Sequence, residues 1–199
     1  MSENINISNG IKGSKGANTK EFLIEVASKL FLENGYSNTG INDILTEAKI
    51  SKGSFYFYFS SKKQLACEVA NYYRKILLED WLKPLSNNIW NVFINKMVID
   101  IKKSVALGNY YGCPIATLGI EIAFIEEDLS NVYTTGMKLL IDIFSNSLQL
   151  SGIIKVKADI IARKAFALYE GHILYYRISK DENSFDFMLK DLLEIGLVI

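Results

Sequence analysis

From residue 22 onward, apolar residues return every three or four positions. Phe22/Leu23, Val26/Ala27 and Leu30/Phe31 lie on one helix face. Asn18 with Glu21 three residues later forms a capping-box pattern at its start, and Gly35 is a natural C-terminal cap. A second short helix is predicted from about Ile41 to Ala48, with Ile41, Ile44, Leu45 and Ala48 inward and Thr39 or Gly40 as N-cap. Phe55 to Phe59 is five aromatics in a row and fits a strand as well as a helix. Ser51 as N-cap, with Ile50 and Phe55 at the positions of a hydrophobic staple, favours the helix. A fourth helix starts at Ser61, where Ser61 and Gln64 fit a capping box, and runs until Pro84. Further helices are expected near 88–107, 114–126, 130–150, 157–179 and 183–197. The fold class is therefore all-α.

Two short helices separated by Lys49 and Ile50 make a helix-turn-helix, whose second helix can enter the DNA major groove. Ser51, Lys52, Ser54 and Tyr56 carry donors, Tyr58 offers a hydroxyl, and Gly53 removes a side chain where backbone must approach DNA closely. Taken alone, composition argues against a nucleic-acid binder, because 22 Lys+Arg and 22 Asp+Glu give a net charge of zero. The average hides a division. Between Glu47 and Glu68 there is no acid, while Lys49, Lys52, Lys62 and Lys63 are all basic. Lys62 and Lys63 fall in a helical first turn, where the macrodipole disfavours cations. Without a structural gain, that placement points to an incoming phosphate; the plain alternative is a solvated lysine face.

Remaining chemistry is sparse. Cys67 and Cys113 are too few for a disulfide framework or a zinc site, and neither a catalytic constellation nor a metal or cofactor site is apparent, so no enzyme is expected. Gly10, Gly13 and Gly16 lack the ending of a P-loop; residues 1–17 read as a flexible arm, with Lys12, Lys15 and Lys20 able to reach along DNA. No leader suggests secretion and no run suits a membrane, so a cytoplasmic location is expected.

The run Phe31-Leu32-Glu33-Asn34-Gly35-Tyr36, then Thr39-Gly40-Ile41-Asn42-Asp43-Ile44, Ile50 to Phe59 and Ser61-Lys62-Lys63-Gln64-Leu65 closely resembles the TetR family of transcriptional regulators. The resemblance covers roughly residues 19 to 66. It implies a three-helix DNA-binding domain, taken as residues 18–64, and a ligand-binding and dimerising domain over 65–199. By matching position, Ser51, Lys52, Gly53 and Tyr56 look like recognition-helix contacts, and Thr39, Tyr58 and Lys62 like phosphate contacts. Ser54 and Lys63 complete the expected DNA-binding set. Phe57 stands where the family often has a polar residue, so readout there would be apolar, as to a thymine methyl.

In the second domain, Cys113 precedes Pro114 and is expected at a helix N-cap, where the dipole favours a thiolate; a buried inert thiol is the plain alternative. Gly112-Cys113-Pro114-Ile115 with Leu118, Glu121 and Glu127-Asp128-Leu129 resembles the NemR-like branch, in which the cysteine is associated with sensing electrophiles; proline here replaces the usual leucine. Arg177 is a candidate cationic neighbour for it. Glu121 either snorkels to water or lines a pocket, and Glu126 to Asp128 read as a solvated cap. His172 reads as a hydrogen-bonded core or pocket histidine, and Tyr176 as a pocket wall or ordinary core. Cys67 reads as structural.

The last two helices are apolar over more than one face, through Ile160, Phe166, Leu174 and Tyr176 on one and Phe187, Leu189 and Leu193 on the other. Their surplus face is expected to pair a homodimer, which the resemblance places as a four-helix bundle reading a palindromic double-stranded operator. The expected whole is a TetR-type repressor released by a small apolar or electrophilic effector. The competing class is an all-helical enzyme or small-molecule binding protein without DNA binding.

Overall fold

The computed structural model describes residues 17–196, with side chains from residue 19. Among these residues there are helices and no strands. They are α1 (Ala17–Asn34), α2 (Ile41–Ala48), α3 (Lys52–Tyr58), α4 (Lys62–Tyr73), α5 (Lys83–Leu85), α6 (Trp90–Ala106), α7 (Pro114–Ile122), α8 (Glu127–Leu150), α9 (Lys155–Ser179) and α10 (Asn183–Gly196). A π-helical stretch, Arg74–Leu82, joins α4 to α5. The expected arm, with its glycines and with Lys12 and Lys15, lies outside the described residues apart from Ala17, which is already helical. Because α1 begins at Ala17, Asn18 stands inside the helix rather than capping it.

The described chain forms two compact units. The first comprises residues 17–75 and 114–135. Here α1 packs against α4, α2 and α7. Leu23, Ala27 and Phe31 of α1, Ile44 of α2, Phe55 of α3, Leu65 and Val69 of α4, and Leu118 and Ile122 of α7 are all buried. The Tyr73 hydroxyl donates to the Ser28 carbonyl at 2.8 Å and ties the end of α4 to α1. This unit is larger than the 18–64 expected for a DNA-binding domain. The reason is that α4 buries Leu65, Ala66, Val69, Ala70 and Tyr73, and α7 packs on α1 and α4.

The second unit comprises residues 76–113 and 136–196. In it, α10 packs on α9 and α6. Trp90, Phe93 and Phe144 form a ring cluster with centroids 5.7–6.0 Å apart, and Tyr169 of α9 meets Phe144 edge-on at 5.8 Å. The Trp90 indole N–H donates to the Leu192 carbonyl at 2.7 Å, which anchors α10 to α6.

Candidate DNA interface and effector site

The helix-turn-helix forms where the sequence pattern predicts it. Gly40 is the N-cap of α2, and the Asp43 carboxylate accepts its N–H at 2.7 Å. Lys49 closes α2 in the left-handed region at φ 53°, which turns the chain toward α3. Ser51 caps α3 by accepting the Ser54 N–H at 3.2 Å, and the two hydroxyls lie 3.1 Å apart. The aromatic run then divides by helical period: Phe55 and Phe59 are buried, whereas Tyr56 and Phe57 are exposed, Phe57 by 81%. Lys52 is exposed, its Nζ 5.9 Å from the Tyr56 ring centroid. Tyr58 is half-buried and packs edge-on to Phe57. Gly53 is exposed, and a Cβ there would meet nothing closer than Ser51 Oγ at 3.8 Å. The fold therefore does not require a glycine at this position.

Three expected DNA contacts have other partners. Thr39 is 1% exposed, and its hydroxyl donates inward to the Gly35 carbonyl at 2.8 Å. Lys62 Nζ donates to the carbonyls of Tyr36 (2.9 Å) and Thr39 (3.1 Å) and lies 4.2 Å above the Tyr36 ring. Lys63 Nζ pairs with Asp128 at 2.8 Å and Glu126 at 3.1 Å, and hydrogen bonds from these two acids hold it above the ordinary lysine range. Both lysines thus have the structural gain that their position at the start of α4 lacks in the sequence pattern. The acids Glu126 and Asp128, expected to be merely solvated, are the partners of Lys63.

Glu121 is half-buried and has a backbone partner at each carboxylate oxygen. From α7 it accepts the N–H groups of Tyr36 at 2.8 Å and Ser37 at 2.6 Å. Burial pushes its carboxyl up, but those hydrogen bonds and the nearby Lys62 outweigh it and hold Glu121 below the usual range. The turn after α1 is fitted to this carboxylate. Gly35 has φ +88°, and a Cβ there would stand 3.0 Å from Glu121 Oε2. Burial, then Glu126, push the Tyr36 phenol up to about 12, so it remains a neutral donor toward Glu126 Oε1 at 3.3 Å.

In the second unit, Cys113 is 5% exposed and immediately precedes α7. Its thiol is hydrogen-bonded to the carboxyl of Glu170 on α9, and burial, only partly offset by that bond, pushes Glu170 up to about 7. Arg177 donates to the Tyr111 carbonyl. Tyr176 packs on Phe185 at 4.6 Å and on Tyr110 at 5.8 Å. His172 lies 2.8 Å from Asp191 of α10, and its carbonyl accepts the Ser184 hydroxyl at 2.7 Å, so it pins α10 to α9. Glu170 is the residue that sequence reasoning missed. Its signal was a lone acid in the apolar stretch Ala165 to Tyr176.

Comparison with known proteins places this geometry. Residues 23–69 match the family described as bacterial regulatory proteins, tetR family. Residues 91–190 match the C-terminal domain described as transcriptional regulator LmrA/YxaF-like. An uncharacterized HTH-type transcriptional regulator from the lacX 3′ region of Lactococcus lactis is 31% identical, over 90% of this chain and 95% of its own. The HTH-type transcriptional repressor NemR of Escherichia coli K12 is 26% identical, over 66% of this chain and 67% of its own. The crystal structure of reduced E. coli NemR shares the fold with a TM-score of 0.78 at 22% identity, covering 89% of this chain and 97% of that one. With a helix-turn-helix match followed by a C-terminal match over half its length, the chain belongs to the TetR family of bacterial transcriptional regulators.

Proposed function

We propose that this regulator is a cytoplasmic homodimeric repressor that reads a palindromic operator through α3 and is released by a small apolar or electrophilic effector. The observation that carries the reading is the outer face of α3. Lys52, Gly53, Tyr56 and Phe57 stand exposed on a helix anchored from behind by Phe55 and Phe59. Lys52 supplies phosphate attraction, Tyr56 a polar contact, Gly53 close backbone approach, and Phe57 an apolar face for a thymine methyl. Ser51 and Ser54 build the helix start and present hydroxyls beside it; Tyr58 reaches the backbone. Lys62, Lys63 and Thr39 support this surface by holding the turn after α1 and segment 114–135.

The repressor sign is supported by the name of the NemR relative. Pairing through α9 and α10 is supported by exposed Ile160, Leu174, Tyr175, Ile178 and Phe187, an apolar surplus that the unit's own core does not use. Release requires that the effector-bound state prefer a different separation of the two recognition helices. Cys113 is joined directly to Pro114, the first residue of α7, and α7 carries the Glu121 that holds the DNA-binding turn.

A salt titration of binding to the DNA flanking its own gene tests the reading. Sequence-preferring binding that weakens steeply with salt is expected; its absence at moderate salt overturns the reading. Cys113→Ser separates the two effector classes, because an unchanged response to electrophiles removes the covalent one.

A further inference from the structure

Two buried polar atoms in the second unit have no hydrogen-bond partner: Oε1 of Glu170 and Oη of Tyr110. Such atoms are uncommon in folded proteins, since each forgoes its bonds to water without a replacement. They occur together. The Glu170 charge is felt at both Tyr110 and Tyr169, and the Cys113 thiol binds the same carboxyl. Aromatic rings pack on Tyr110. The Tyr110 ring meets Phe185 edge-on at 5.7 Å and Tyr176 at 5.8 Å. A carboxyl oxygen and a phenol oxygen among aromatic rings are a complement for one kind of guest: an apolar ring that carries a donor.

We propose that Glu170 and Tyr110 are the polar anchor of the effector site and take an aromatic molecule bearing an O–H or N–H donor. The proposal rests on the reading that this unit senses a small molecule. The donor bonds Glu170 Oε1, Tyr110 Oη completes the contact as donor or acceptor, and the rings of Tyr176 and Phe185 border the apolar body. Cys113 keeps the carboxyl turned toward the guest by occupying part of it, a positioning role that needs no thiol chemistry. A neutral phenol and a protonated amine share this recognition, and the two are told apart by the response to the carboxyl charge.

The test uses the full chain without DNA and measures calorimetric affinity for 2-naphthol, 2-naphthylmethylamine and 2-methoxynaphthalene. At least one donor probe should bind about tenfold more tightly than the ether, the factor typical of one hydrogen bond to a charged or buried group. Tyr110→Phe and Glu170→Met should each bring donor affinity down to that of the ether and leave ether affinity unchanged. Glu170→Gln keeps an acceptor and should restore the naphthol but not the amine. Equal affinity for ether and donors, no binding of any probe, or loss of all three probes alike in Tyr110→Phe overturns the proposal. A separate anisotropy titration of operator DNA with and without the bound probe tests the regulatory reading: donor binding that leaves operator affinity unchanged overturns that reading alone.

Discussion

Glu121 on α7 accepts the backbone N–H of Tyr36 at 2.8 Å, across 85 residues of sequence. The same carboxylate takes the Ser37 N–H, and Lys62 takes the Tyr36 carbonyl, so the turn between α1 and α2 has both backbone polarities satisfied by side chains. Segment 114–135 is thereby part of the unit that holds the recognition helix.

Glu121→Gln should destabilise this unit by about 1–2 kcal/mol at pH 7, the lower end of the range for a hydrogen bond to a charged group, because the carboxylate is only half-buried. The folded carboxyl is held below its ordinary value of 4.5. Its contribution is therefore present above that value and lost as pH falls through the folded one. Thermal unfolding of wild type and variant should differ at pH 7 and converge as the pH drops below 4.5. A constant difference at all pH values would contradict this assignment.

Glu170 has the opposite sign. Its folded value is raised to about 7 from 4.5, so ionising it in the folded chain costs stability, and that cost grows as pH rises from about 4.5 to 7. Glu170→Gln removes the cost. The variant should gain stability over wild type at pH 8, by at most about 3 kcal/mol from the conversion of the shift, and gain none at pH 4. Melting curves at the two pH values decide it.

Gly53→Ala separates fold from function. The added methyl meets only ordinary contact at 3.8 Å, and alanine favours the helix, so melting temperature should hold or rise. Operator affinity, read by fluorescence anisotropy, should fall about tenfold because the methyl stands between backbone and DNA. Equal affinity would mean that DNA does not approach α3 there.

Lys52 and Lys62 should behave differently although both lie in the basic run. Lys52→Ala should lower the salt slope of DNA binding by about one while leaving stability unchanged. Lys62→Ala removes the donor to Tyr36 and Thr39 carbonyls and should cost about 1 kcal/mol of stability. Chemical denaturation beside the salt titration distinguishes them.

Leu174→Asp with Ile178→Asp places two charges on the exposed apolar face of α9. If the wild type pairs through this face as proposed, sedimentation should show a dimer for the wild type and a monomer for the variant, because unpaired charges cannot be buried between copies. A dimer that persists would place the pairing surface elsewhere.

Much was legible from local pattern, because it rests on interactions within one or two helical turns. The Ser51 cap, the Ile41–Ala48 helix and the surplus apolar face of α9 all follow from periodicity and capping. The Ser61 cap also holds, although Gln64 reaches back to the Ser60 N–H at 2.6 Å rather than to Ser61. The roles of isolated charges were not legible. Lys62 and Lys63 looked free because their partners, Tyr36, Thr39, Glu126 and Asp128, lie 23 to 65 residues away. Glu121 and Glu170 are both lone acids in apolar helices, with nothing local to tell them apart. Packing gives one two backbone N–H groups and the other a thiol and an unpaired oxygen. A charge takes its meaning from what surrounds it, and only the tertiary structure supplies that.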